Sequence, residues 1–247
     1  MSKNNFDFLR FSFALLVVLG HSYGLSGNGE SMELISIISN KQLSLTSIGL
    51  NGFFVISGYL IFKSLIRSQS LKGYYWRRFL RLYPALFVVL LLTTFFSFFL
   101  YDSEIPFLKN KDVYTYLPNN LSLYNLQFTI QGVLTKNTHH TAINGSLWTI
   151  CYELTLYVLL SFLFLFRENV KLIKCIVFSV FVVFFMGYVF YYERLSDIYF
   201  IGLEGKHFLN LGGFFISGSF LSCLEIEKMK HKKPVLLLVS FIFIVFV

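Results

Sequence analysis

The chain has 247 residues, of which 55% are hydrophobic, 19% aromatic and only 14% charged, with a mean hydropathy of +0.65. A soluble domain carries about 25% charged residues, and a soluble surface could not hide 31 phenylalanines, so the composition excludes a soluble protein and makes this a polytopic membrane protein. A net charge of +8 raises the question of nucleic acid in a soluble chain. Here it bears on topology instead, and no nucleic acid partner is expected.

The first apolar segment runs from Phe6 to about Ser26 and carries Arg10 near one end and His21 near the other. In a helix the eleven-residue step turns ~1100° and rises ~16 Å, which puts both side chains on one face, about half a bilayer apart. Ionisable groups inside a membrane helix are costly and tend to face a protein interior or a wet cavity. Alternatively, Arg10 snorkels to the inner interface and His21 rests in the outer one. This segment alone leaves the two readings level. Asp7 and Arg10 interrupt its start and no small-residue cleavage site follows, so it reads as an uncleaved first span, not a signal peptide.

Further apolar runs are Leu45 to Ile66, Leu80 to Tyr101, Leu147 to Phe166, Leu172 to Tyr191, His207 to Leu224 and Pro234 to Val247. Most approach the ~20 residues a bilayer needs. The last stops in mid-run, as expected of a chain cut short at its carboxyl end with further spans to follow. The fold expected is therefore an all-α transmembrane bundle, a single membrane domain over 1–247, with seven spans visible. Placing the amino terminus inside and alternating leaves only Lys41, Lys109, Lys111, Lys136, Arg194 and Lys206 outside, six of the 21 Lys and Arg. That asymmetry puts the amino terminus in the cytoplasm.

The outer loop 102–146 is the longest and mostly polar, and it is expected to hold a short surface helix, not a second domain. Two segments echo each other, GFFVISGYL at 52–60 and GFFISGSFL at 213–221. Both lie on spans running outward to inward, and they read as close helix packing. Cys151, Cys175 and Cys223 lie in or beside apolar segments and suggest neither a disulfide framework nor a metal site.

The inner segment KSLIRSQSLKGYYWRRFLRLYP places Arg77, Arg78 and Arg81 just before Pro84. Such charge can simply hold a loop inside and touch anionic lipid. The i,i+4 pair Arg77 and Arg81 could also bind phosphate through guanidinium forks. In INGSLWTICYELTLY (143–157), Glu153 sits ~9 Å into a span entered from outside, close to the depth inferred for His21. A His21–Glu153 pair would fix the imidazole tautomer and make a better base, or it would only hold two spans together. Thr138-His139-His140 has no third ligand nearby and is read as solvated, so no metal is expected. Asn120-Leu121-Ser122 and Asn144-Gly145-Ser146 fit the glycosylation triplet. Glu204 and His207 stand at the mouth of the sixth span, as vestibule or as surface decoration.

Arg10 and His21 on the first span, GFFVISGYLIFKSL (52–65), YYWRRFLRLYPAL (74–86) and GSLWTICYELTLY (145–157) occur in an order and spacing that resembles acyltransferase family 3, the integral-membrane acyltransferases of bacterial cell-envelope sugars. One departure is that Glu153 is followed by Leu154, where the family often has two acidic residues. The resemblance implies about ten spans in a multi-pass protein of the inner membrane. It also implies transfer of an acyl group, usually acetyl, from cytosolic acyl-coenzyme A to a sugar hydroxyl on a cell-surface or lipid-linked glycan outside. This is an acyltransferase of the class moving groups other than amino-acyl groups. Under it Arg10, Arg67, Arg77, Arg78 and Arg81 meet the coenzyme phosphates, and acetyl-coenzyme A is the donor. His21 acts as base or acyl carrier with Glu153 orienting it, and Trp148 and Tyr152 shape the acceptor mouth. The rival reading is a proton-coupled transporter or flippase with His21 and Glu153 as the relay.

Overall fold

The computed structural model describes residues 5–27, 29–137 and 142–224. Lys3, Thr138-His139-His140, the lysines at 228, 230, 232 and 233 and the seventh apolar run lie outside the described residues. The chain is mostly helical: α1 (Phe6–Leu25), α2 (Leu34–Ile38), α3 (Leu45–Ile66), α4 (Leu71–Ser97), α5 (Lys111–Ser122), α6 (Trp148–Ser161), α7 (Val170–Tyr191) and α8 (Gly205–Cys223). The departure from an all-α chain is a small hairpin, β1 (Tyr199–Phe200) paired antiparallel with β2 (Leu203–Glu204). Its turn residues Ile201 and Gly202 both have positive φ, the backbone that a two-residue turn between right-twisted strands requires.

Among the described residues, five helical stretches are long and apolar enough to cross a membrane: Phe6–Leu25, Leu45–Ile66, Leu71–Ser97, Gly145–Phe166 and Val170–Tyr191. Two sequence expectations change. The third span begins at Leu71, not Leu80, because Ser70 caps the helix by accepting the Gly73 N–H at 3.1 Å. The basic cluster therefore lies inside α4, in one helix with the apolar run that follows, and Pro84 sits in mid-helix. α8 forms at the sixth run but is not among the five. It carries Lys206, His207 and Asn210 and is buried almost continuously from Leu211 to Cys223. A helix surrounded by protein has no lipid face to keep apolar.

The chain divides into two compact units, Met1–Arg67 with Leu156–Val247, and Ser68–Thr155. In the first, α3 is central. α1 runs antiparallel to it, with Phe6 against Tyr59, Phe13 under Gly49 and Gly52, and Gly20 at Thr46. α8 runs parallel to α3: Asn210 donates to Asn51 at 3.4 Å and Ser219 to the Gly58 carbonyl at 3.1 Å. α7 lies antiparallel on α8, with Phe181 stacked on Phe220 and Phe184 against Phe208. The repeated Gly/Ser segments explain this order. A Cβ on Gly58 would lie 1.8 Å from the Phe215 carbonyl oxygen, and one on Gly218 would lie 2.0 Å from that of Val55. The echo is thus a reciprocal backbone contact. An apolar cavity of about 340 Å³ opens among Leu156, Leu160, Val177, Gly212 and Phe215.

In the second unit the segment 102–146 folds around the short helix α5. Asn110 donates to the Gln131 carbonyl at 2.7 Å, and Asp112 accepts the Gln131 N–H at 3.0 Å. Asn120 is fully buried and uses both ends of its amide on the backbone of Gln127. Its glycosylation triplet is therefore a folding element with no accessible amide.

Candidate active site

The two ends of α1 have different surroundings within the first unit. At the amino end Arg10 lies 3.7 Å from Asp7. The antiparallel register brings this end beside the close of α3, where Lys63 donates to the Tyr59 hydroxyl at 2.8 Å and exposed Arg67 caps the helix. Arg10, Lys63 and Arg67 thus lie towards the same end of the first unit. At the other end His21 is exposed, next to Gly20, which is the buried residue of α1. This end meets the first turn of α3, where Ser44 and Ser47 form a capping box.

The parallel register of α8 brings its start to the same level. There His207 Nε2 lies 3.5 Å from Glu204, and Lys206 reaches Glu193 at 3.2 Å. Burial, then the charges of Glu193 and Glu204, pushes the Tyr192 phenol up, so it stays protonated and can donate. One end of the first unit therefore holds two imidazoles, carboxylates, a phenol and Lys206, while Arg10, Lys63 and Arg67 lie towards the other.

In the second unit the three arginines of α4 differ. Arg77 donates to the Ser68 hydroxyl. Arg78 is buried, with its guanidinium over the Tyr74 ring at 5.6 Å. Arg81 is exposed. The first turns of α4 border an open hollow of about 810 Å³ lined by Ser70, Lys72, Gly73, Tyr75, Trp76 and Phe79. Phe79 is stacked between Trp76 and Tyr83, at 5.6 and 4.7 Å. The sequence reading passed over Trp76 and Phe79, because aromatic residues beside a membrane are ordinarily interface anchors.

Glu153 is half-buried on α6. His21 belongs to the first unit and Glu153 to the second. Trp148 meets Tyr152 edge to face at 5.5 Å, and Tyr152 is buried, so it is not part of an exposed aromatic belt. Asn144, which matched a glycosylation triplet, instead donates to Thr93 at 2.8 Å and Tyr116 at 3.0 Å, tying the start of the α6 span to α4 and α5. Burial pushes the Tyr116 phenol up, opposed by that hydrogen bond. Asn144→Ala leaves two partners without their donor and should cost about 1–3 kcal/mol. A thermal melt of the purified protein beside the wild type measures it.

Sequence reading also missed Glu33. It is fully buried and accepts the Leu45 N–H at 2.7 Å. Nothing in an isolated acid twelve residues before a helix start announces such a contact. Among the described residues, no three His, Cys, Asp or Glu side chains gather to hold a metal ion.

Comparison with known proteins follows the same lines. An O-acetyl transferase of Shigella phage Sf6 is 34% identical over 161 residues, covering 64% of this chain and 45% of that protein. Nodulation protein 10 of Rhizobium leguminosarum bv. viciae is 27% identical over 164 residues, covering 65% of this chain and 44% of that protein. The matched part therefore spans somewhat under half the length of these curated relatives. No solved structure matches. The acyltransferase domain model matches residues 3–247, nearly the whole chain. With its Arg10–His21 span, its arginine-rich α4 and its GSLW-initiated α6 on that match, the chain belongs to acyltransferase family 3.

Proposed function

We propose that this protein is a multi-pass O-acyltransferase of the bacterial inner membrane. It moves an acyl group, acetyl in the first instance, from cytosolic acyl-coenzyme A to a hydroxyl of an extracytoplasmic glycan. The observation that carries the reading is the polarity of α1, with Arg10 towards the end of the unit that also holds Lys63 and Arg67, and His21 at the opposite end. Inner cations suit the coenzyme phosphates, and an exposed imidazole suits a hydroxyl arriving from outside. The phage relative's name supports acetyl as the group transferred.

In the proposed reaction the His21 imidazole takes the proton of the acceptor hydroxyl. The oxygen attacks the thioester carbonyl carbon, the C–S bond breaks, and the departing thiolate recovers the proton from the imidazolium. In a two-step version the His21 imidazole attacks the thioester carbonyl carbon and the thiolate leaves; the acceptor oxygen then attacks the acyl-imidazole, its C–N bond breaks, and the hydroxyl proton goes to the thiolate. Glu153 serves as the second catalytic group, and Trp148 and Tyr152 shape the acceptor site. Arg67, Arg77, Arg78 and Arg81 hold the donor phosphates. The hollow beside Lys72 and Trp76 offers a cation and an aromatic face, which suits a nucleotide.

Arg78→Ala is expected to raise the KM for acetyl-coenzyme A by ~10- to 100-fold, the scale of a lost charge-assisted hydrogen bond, while the acceptor KM changes little. Membrane vesicles supplied with deuterated acetyl-coenzyme A, with the glycan read by mass spectrometry, test both function and variant. An unchanged donor dependence would leave the arginines as topogenic charge. Proton-coupled flux in vesicles without any acyl donor would favour a transporter instead.

A further inference from the structure

Glu33 plays no part in the reaction just described, yet its two carboxylate oxygens have different settings. Oε2 accepts the Leu45 N–H at 2.7 Å, satisfying one open donor of the first turn of α3. Oε1 is equally buried and accepts no hydrogen bond. It faces α1: a Cβ on Gly20 would lie 3.2 Å from Oε1, 2.3 Å from Thr46 Oγ1 and 2.8 Å from the Thr46 nitrogen. The last turns of α1 therefore reach Glu33 and Thr46 because residue 20 has no side chain. The next residue is His21.

A buried carboxylate is costly unless something compensates its charge. The amino end of α3 compensates one side through the Leu45 N–H and the helix dipole. The bare oxygen faces the helical turn whose imidazole becomes positive when it takes a proton. We propose that Glu33 is the positioning residue of His21, clamping the end of α1 onto the start of α3 and holding a fixed negative charge at the turn that forms an imidazolium. This rests on the reading of His21 as the base. Glu33 gains and loses no bond in the reaction; the proton stays on the imidazole until the thiolate takes it.

The test is Glu33→Gln in the intact membrane protein, because a glutamine oxygen can still accept the Leu45 N–H while the charge is gone. The variant should accumulate normally and keep its KM for acetyl-coenzyme A, with kcat down ~10-fold or more. Glu33→Asp, charged but shorter, should lose less of kcat than Glu33→Gln, again with the donor KM unchanged. It carries the test alone if the glutamine variant fails to accumulate, and a wild-type kcat in it would then overturn the proposal. Wild-type kcat in Glu33→Gln, with His21→Ala inactive, would overturn it and leave the base reading standing. Activity retained in His21→Ala would overturn both.

Discussion

His21→Ala should abolish acyl transfer while the protein still inserts and accumulates. Loss of a positioned acid–base group costs ~10²- to 10⁴-fold, and loss of a covalent carrier leaves only uncatalysed chemistry. The ring is exposed and lies outside the packed core of the first unit, so truncating it opens no cavity. Mass spectrometry of surface glycans from cells carrying the wild type, a deletion or the variant reads the activity, and immunoblotting of the membrane fraction reads the amount. Normal acylation by His21→Ala would sink the assigned role. An acyl adduct on the peptide bearing His21 would identify the two-step route.

The largest stability effect should come from Gly58→Val. Its Cβ would fall 1.8 Å from the Phe215 carbonyl oxygen and 2.7 Å from the carbonyl carbon. These are backbone atoms of a buried helix, and no side-chain rotation relieves the clash, so α3 and α8 must separate. Overpacking ordinarily costs ~1–3 kcal/mol, and an obstruction by main chain should reach about 3 kcal/mol or more. Separation would also break the Ser219 bond to Gly58 and the Asn210 bond to Asn51. Gly24→Ala is the control. A Cβ there meets nothing within 4 Å, and alanine is the better helix former by about 1 kcal/mol. Thermal melts in detergent should place Gly58→Val far below the wild type and Gly24→Ala level with it or above. Equal melting of the two glycine variants would refute the packing argument.

How much of this was legible in the sequence depended on the length scale of each signal. Apolar runs of about twenty residues report lipid contact directly, so α1, α3, α6 and α7 stand close to where hydropathy put them. α4 was misjudged by nine residues because hydropathy registers the charges of Arg77, Arg78 and Arg81, while the helix is set by a single cap at Ser70. α8 shows the converse. Its composition falls short of a lipid-exposed span because its neighbours, not lipid, cover it.

At the site, Arg10 and His21 were legible as two polar groups on one helical face, and the repeated Gly/Ser segments as packing. Glu33 was not legible, since its partners Leu45 and Gly20 are joined to it only through the fold. Asn144 matched a short motif that carries no information about burial, and the tertiary contacts gave it a different use.

The α3–α8 contact has a consequence for the order of assembly. The groove at Gly58 is made early in synthesis, but the helix that fills it begins at Gly205. Roughly 140 residues must be made in between, ~7–30 s at ordinary rates of translation. During that interval α3 stands in the membrane with a notched, hydrogen-bonding flank that lipid tails fill poorly. When the ribosome delivers α8, a segment too polar to settle in lipid by itself, that waiting flank is the place it can enter. The least apolar helix of the unit is thus retained by one made long before it.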